Sequence, residues 1–289
     1  MYLISDILYF FIFHIFGYRK RLSYENLSKS FPEKNKQEIA HIQRKYYRHL
    51  CDLLVEGVYN MYATPKSILK RYQVVNRKIM DRYYEEGKSV VLISSHFNNW
   101  EYMVTSLSFQ FRQHGIGVGK PLDNKSIASY LTKRRIRYGT EVVDHTNVRD
   151  VMEYYHKYQV PVAYMMLSDQ SPTNPHKSYW TNFLNQDTAF LYGAEHFARK
   201  YNMPVVYYQV EKTKRGHYQV HLRTLHESPE SIPQYSITQQ YVEILEQAIK
   251  QQPEYWLWSH RRWKLTREGR ILKNGQLKII KKQPQQTHQ

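Results

Sequence analysis

The sequence predicts an α/β fold, in which short buried strands alternate with helices and chemistry gathers at the strands' carboxyl ends. Three observations point there. The apolar run Val90-Val91-Leu92-Ile93 leads into a polar stretch, Ser94-Ser95-His96-Phe97-Asn98-Asn99-Trp100-Glu101, which opens a segment with helical spacing. Residues 160–167 form a second apolar run, and it delivers Ser168-Asp169-Gln170-Ser171-Pro172. Ahead of both, Ile39, Ile42, Tyr46, Leu50, Leu53, Leu54 and Val58 make one apolar stripe at helical spacing.

Taken in order, residues 1–16 are the only strongly hydrophobic segment, interrupted by Asp6 and His14. As a helix they reach about 24 Å, short of a ~30 Å hydrocarbon core. No basic n-region or small-residue cleavage site marks a removable signal. Residues 1–17 are therefore expected to be a membrane anchor that embeds or lies at the interface, with a buried N-terminal helix as the alternative. Arg19-Lys20-Arg21 directly behind favour a cytoplasmic body. Pro32 stands before the helix of 33–62, residues 67–86 read as broken helix closed by Gly87, and 88–95 is the strand that carries the histidine. A helix over 101–114, a strand at 116–118, a turn through 119–124 and a helix over 124–138 follow. Residues 147–157 read as helix and 160–167 as strand, then a helix runs from Gly193 to Tyr201. A hairpin pairs 205–210 with 218–225 through Lys214-Arg215-Gly216. The helix of 236–251 places Ile237, Tyr241, Ile244, Leu245 and Ala248 inside. Residues 18–264 thus form the main domain, and 265–289, rich in Lys, Gln and Arg, are expected to be a disordered basic tail. No internal repeat is found.

Hydrophobic content of 42% over 289 residues excludes a disordered chain and is ample for a buried core. Lys and Arg number 42 against 25 Asp and Glu, a formal charge of +17, so an anionic partner is implied: nucleic acid, an anionic membrane surface or an acidic protein. One cysteine, Cys51, excludes a disulfide framework and a multi-thiolate metal site, and its apolar helical neighbourhood makes it a core residue. The 27 tyrosines suit a membrane interface and equally a half-buried surface.

The chemistry is concentrated in the histidine stretch. His96 sits in the turn, Asn98 or Asn99 is positioned to cap the next helix, and Glu101 falls in its first turn. A carboxylate there can fold back on one imidazole nitrogen and leave the other as a base facing the cleft. Spacing alone is weak: 14 histidines and 25 acids in 289 residues give about one such pair by chance, and His145 with Asp150 is a second. Context separates them, because His145 follows a shorter, charged stretch.

Ser-His-Phe-Asn-Asn-Trp-Glu resembles the His-Phe-Gly-Asn-Trp-Glu box of the bacterial lipid A late acyltransferases, the lauroyl/myristoyl transferase family, with Asn98 in place of glycine. Further boxes follow in the family's order. Tyr18-Arg19 with Asn26-Leu27 and Phe31-Pro32-Glu33 is similar to the family's opening. Lys120-Pro121-Leu122 stands where Arg-Pro-Leu is usual. Arg135-Ile136-Arg137-Tyr138-Gly139 resembles Arg-x-Arg-Phe-Gly, and Asp169-Gln170 resembles Asp-Gln-x-Pro. Phe183-Leu184-Asn185 replaces Phe-Phe-Gly. Trp258, His260, Arg261 and Arg262 fall in a match to the closing box Leu-Trp-x-His-Arg-Arg-[Phe/Trp]-Lys.

The resemblance implies a glycerolipid-acyltransferase-like α/β fold, a central, mostly parallel or mixed sheet flanked by helices. It implies transfer of a fatty acyl chain from acyl-acyl-carrier protein, or acyl-CoA, to a hydroxyl of a lipid A precursor at the cytoplasmic (inner) membrane. A thioester is already activated, so the enzyme needs a base for the acceptor hydroxyl and a donor for the oxyanion. His96 is expected to be the base and Glu101 its orienting acid. Arg135, Arg137, Lys120, Asp169, Gln170 and Asn99 are expected to serve the oxyanion or bind substrate. Trp258, His260, Arg261 and Arg262 are expected to close the site. For Asp169 a capping turn is the competing reading; for the basic run 133–137, a solvated face. Neither a cofactor nor a metal nor nucleic acid is expected. An aminolipid or phosphoglycolipid acceptor is the first alternative. A non-enzymatic basic protein binding RNA or membrane is the second, and it has no use for an ordered acid–base pair.

Overall fold

The computed structural model describes residues 1–120, 125–272 and 275–281. Helix α1 (Tyr2–Tyr9) continues into a π-helical turn, Phe10–Ile15, and is followed by α2 (Lys20–Ser30) and α3 (Lys36–Asn60). The start of α3 is set by a capping box: Asn35 Oδ1 accepts from Gln37 and Glu38 N–H groups, and Glu38 accepts from the Asn35 N–H. Then come α4 (Pro65–Arg71), β1 (Tyr72–Val74), α5 (Lys78–Glu85), β2 (Val90–Ser94), α6 (Trp100–Gln110), β3 (His114–Gly119), α7 (Lys125–Ile136) and β4 (Glu141–Asp144). The second half runs α8 (Val148–Lys157), β5 (Val162–Leu167), β6 (Tyr179–Phe183), β7 (Gln186–Phe190), α9 (Gly193–Lys200), β8 (Val205–Lys214), β9 (His217–His226), α10 (Ser236–Gln251), β10 (Gly269–Ile271) and β11 (Leu277–Ile279).

Seven strands form one mixed sheet in the order β1-β9-β8-β2-β5-β3-β4, parallel throughout except for the β8–β9 hairpin. The run 90–93 is continuously apolar because both faces of the sheet are covered. Val90 and Leu92 join Ala163, Met165, Val206 and Tyr208 under α4, α5 and α6. Val91 and Ile93 join Tyr164, Met166, Val205 and Tyr207 under α8, α9 and α10. Leu92 is wholly buried. Its truncation to alanine is expected to cost about 2–5 kcal/mol.

Three regions differ from the sequence expectations. The stretch 67–86 is two helices separated by β1, because Tyr72 pairs in parallel register with Tyr218 at the sheet's edge. A second hairpin, β6–β7, turns through Leu184 and Asn185 at φ of 50° and 62°, a left-handed conformation that asparagine, in the place of the family's glycine, tolerates better than most residues. Residues 269–271 and 277–279 pair antiparallel where disorder is expected, tied down as Arg267 grips Asp187 through two 2.8 Å bonds. Residues 282–289 of that tail, and 121–124 of the turn before α7, lie outside the described residues.

The N-terminal segment, expected to embed in or lie on a membrane, presents an outward apolar face. Among the described residues no helix is long and apolar enough to cross a membrane. Instead α1 turns its polar side inward. Ser5 donates to Asp52 of α3 (2.7 Å), Tyr2 donates to Glu56 (3.1 Å), and Asp6 pairs with Arg215 of the β8–β9 turn (2.6 Å). Leu3, Ile4, Ile7, Phe10, Phe11 and Phe16 are left facing out, Leu3 80% exposed, and Leu54 and Val58 of α3 and Tyr62 just past its end are exposed as well.

Candidate active site

Strand register assembles the site. Strands β2 and β5 run in parallel with Ser94 opposite Leu167, and the Ser168 N–H donates to the Ser94 carbonyl at 3.0 Å. Each chain then needs only one or two more residues to bring His96 and Asp169 together. Asp169 Oδ2 accepts the His96 backbone N–H (3.0 Å) and the Trp256 indole N–H (2.9 Å), and Oδ1 lies 2.7 Å from His96 Nδ1. An ionised carboxylate only accepts, so Nδ1 carries the imidazole proton. Nε2 is then a lone-pair acceptor, and the Gln170 amide N–H donates to it at 3.1 Å. Burial pushes the Asp169 carboxyl upward, but His96 and the Trp256 N–H overcome it and hold the group below its ordinary range. The Asp169 side chain is 3% exposed and that of His96 16%. The buried acid thus orients an imidazole whose outer edge is reachable.

The turn between them is held from several sides. Asn98 sits at φ 54°, which explains how it replaces a glycine; its Nδ2 donates to the Val210 carbonyl (2.7 Å) and its N–H to Tyr255 (3.0 Å). Asn99 is the N-cap of α6: its Oδ1 accepts the Tyr102 N–H (3.1 Å), while its Nδ2 donates to Glu56 (2.7 Å). Both ends of the Asn99 side chain are thus engaged within the protein, and the residue is buried.

Glu101 also departs from expectation. Its Oε2 accepts from Arg134 and from Arg135 Nε (3.2 Å), and its Oε1 accepts from Arg135 Nη2 (2.5 Å) and the Trp100 indole N–H (3.2 Å). Asp169, not Glu101, is the carboxylate hydrogen-bonded to His96. The physical reason is charge: two guanidiniums on α7 outcompete a neutral imidazole for an anion. Burial raises the Glu101 carboxyl, yet Arg135 and Arg134 bring it down to about 2. Trp100 bridges the two assemblies, its ring meeting the His96 ring edge-on at 4.8 Å. Arg137, the other arginine placed at the site by its motif, is exposed and donates instead to the Met61 carbonyl at the end of α3.

Trp258 is fully buried and donates to the Pro253 carbonyl (2.6 Å), whereas Trp256 reaches Asp169. Arg262 is buried, donates to the Ala189 carbonyl (2.6 Å) and lies 4.4 Å over Phe190; burial lowers its guanidinium to about 10. Arg261 donates to the Leu272 carbonyl at 3.0 Å. Burial lowers His260 to about 3, against the pull of Asp169. Lys120 is exposed. His145, just after β4, pairs with Asp144 at 2.8 Å rather than with Asp150.

Two residues at the site were missed by sequence reasoning. Arg134 had a signal: it stands three after the half-buried Leu131 of α7 and four before the half-buried Tyr138 just past the helix. Trp256 had none that distinguishes it from Trp258. Among the described residues no group of three or more His, Cys, Asp or Glu side chains is placed to hold a metal ion.

A family described as bacterial lipid A biosynthesis acyltransferase matches residues 4–265. The chain is similar to the lipid A biosynthesis lauroyltransferase of Escherichia coli (strain K12), 23% identical over 252 residues, which are 87% of this chain and 81% of that protein.

Proposed function

The chain belongs to the bacterial lipid A biosynthesis acyltransferase family, and from that premise we propose that it moves a fatty acyl group from acyl-acyl-carrier protein to a hydroxyl of a lipid A precursor. Membership supports acyl transfer to a lipid A-type acceptor; the donor, the residue roles and the location are our reading. His96 is the base. The acceptor O–H displaces the Gln170 amide and gives its proton to Nε2, its oxygen forms the new C–O bond at the thioester carbonyl, and the C–S bond breaks as the thiolate takes the proton back. Asp169 fixes the Nδ1–H tautomer and steadies the imidazolium, the part first expected of Glu101. Arg135, held at the cleft by Glu101, is the donor for the tetrahedral oxyanion. The observation that carries this reading is an imidazole with one nitrogen locked on a buried carboxylate and the other blocked only by a neutral amide.

The outward apolar face of α1 and α3 supports shallow seating on the cytoplasmic leaflet, with the surplus of positive charge adding attraction to anionic lipid. The decisive assay supplies the purified protein with acyl-acyl-carrier protein and a lipid A precursor and weighs the product by mass spectrometry. Absence of an acylated precursor with active, folded protein would sink the proposal. Replacing Ile4, Ile7 and Phe11 by Gln should release the protein from anionic vesicles in high salt, whereas wild type stays bound. If the triple variant also stays, the seat lies elsewhere.

A further inference from the structure

We propose that Arg261, Lys264 and Arg270 form a binding site for a phosphate group, with the β10–β11 hairpin as its wall, beside the His96–Asp169 pair. The inference rests on the transferase reading of the same cleft and gives that cleft a second recognition element.

The hairpin is what brings the cations together. Leu265 bridges Arg270, the Ile271 N–H donates to the Lys264 carbonyl (2.7 Å), and Arg261 reaches the Leu272 carbonyl (3.0 Å). Arg270 in turn donates to the Thr173 carbonyl at 3.0 Å, four residues past Asp169, so the cluster wraps the turn that carries the acid. Among the described residues none of these cations is paired with a carboxylate; the arginines are satisfied only by main-chain carbonyls. Arg267, on the same segment, shows the contrast, since it holds Asp187 in a two-pronged pair. The Arg270 Nε is buried with no partner, and so is that of Arg262.

Unpaired, partly buried positive charge is costly unless an anion completes it. The mutual strain is visible in the acid–base balance. Burial lowers the Lys264 ammonium, and Arg270, Lys120, Arg261 and Arg262 lower it further. His260 lies within electrostatic reach of both groups: Asp169 draws its pKa up, while Lys264, Arg262 and His96 push it down. A forked guanidinium beside an ammonium suits a phosphate in particular, with two parallel N–H donors and a point charge. Both substrates of the proposed reaction carry that group: the lipid headgroup, and the phosphopantetheine arm of the donor.

The test compares wild type with Lys264→Gln/Arg270→Gln, and with Lys29→Gln/Lys157→Gln as an exposed control of equal charge change. In the absence of either substrate, saturating inorganic phosphate should raise the wild-type Tm by about 2–4 °C and leave the site variant unmoved. This reading needs no turnover, so it stands or falls apart from the transferase proposal. In turnover, the site variant should show KM raised at least tenfold with kcat within threefold. If the lipid supplies the phosphate, the rise is seen with the phosphorylated precursor and vanishes with the dephosphorylated one. If the donor supplies it, the rise is seen with acyl-acyl-carrier protein and vanishes with an acyl N-acetylcysteamine thioester. Lys264→Arg/Arg270→Lys should restore KM to within threefold of wild type. The site is overturned if phosphate stabilises both variants like wild type, or if KM is unchanged for every substrate.

Discussion

Two carboxylates lie at the same cleft, and they do opposite things. Asp169 is buried, has one strong partner in His96, and leaves that partner's far nitrogen reachable. Glu101 is also largely buried but is enclosed by two guanidiniums and an indole, with nothing left over for the histidine. Glu101 is five residues from His96 and Asp169 is seventy-three away. Proximity along the chain is therefore a poor guide to which acid serves a base. What decides is which strand end lies alongside and which cations are already bidding for the carboxylate.

The comparison can be broken most sharply at the base. His96→Ala should lower kcat by roughly 10²–10⁴-fold, the range for removal of a general base, while His145→Ala changes it by less than twofold. Asp169→Asn keeps the shape but favours the wrong imidazole tautomer, so a loss of about 10²–10³-fold in kcat is expected with little change in KM. Should Glu101→Gln prove the more damaging to kcat of the two, the assignment of roles would be reversed.

Glu101→Gln is expected to show itself first as instability. It strands Arg134, a buried cation, and breaking such a pair costs about 3–5 kcal/mol, readable from urea unfolding. Its pH signature sharpens the same point. The Glu101 carboxyl is depressed from 4.5 to about 2 in the folded chain, so its contribution is present at neutral pH and is lost as pH falls from about 5 toward 2. Stability curves of wild type and Glu101→Gln should therefore converge across that window; parallel curves would mean the ion cluster is not formed in solution. The smallest effect belongs to Arg137→Ala. Its guanidinium is exposed at the end of α3, so kcat should stay within twofold and stability within about 1 kcal/mol. A tenfold loss of kcat would return Arg137 to the site.

These outcomes bear on what the sequence could reveal. Five strands, β2, β3, β5, β8 and β9, and most helices were legible because burial on both faces leaves an uninterrupted apolar run and burial on one leaves a stripe. The helix of 236–251 and the 205–225 hairpin followed directly. The site's position was legible too, since a histidine and an acid both sit just past such runs. Their partnership was not, because parallel pairing of β2 with β5 is a long-range choice that no local pattern encodes. Short edge elements such as β1, and the β10–β11 hairpin built from polar residues, carry little apolar signal of their own. For the N-terminal helix, hydrophobicity shows that the segment prefers an apolar environment, and says nothing of which side faces its own protein.

The register of β2 against β5 also has a consequence in time. Ser94 cannot reach Leu167 until a loop of about seventy residues has closed, and β3, α7, β4 and α8 lie within that loop. Closures of this kind are slow relative to helix formation. On refolding from denaturant, helical signal should therefore return before any acid–base pair exists, and the recovery of turnover should follow the completion of the central sheet.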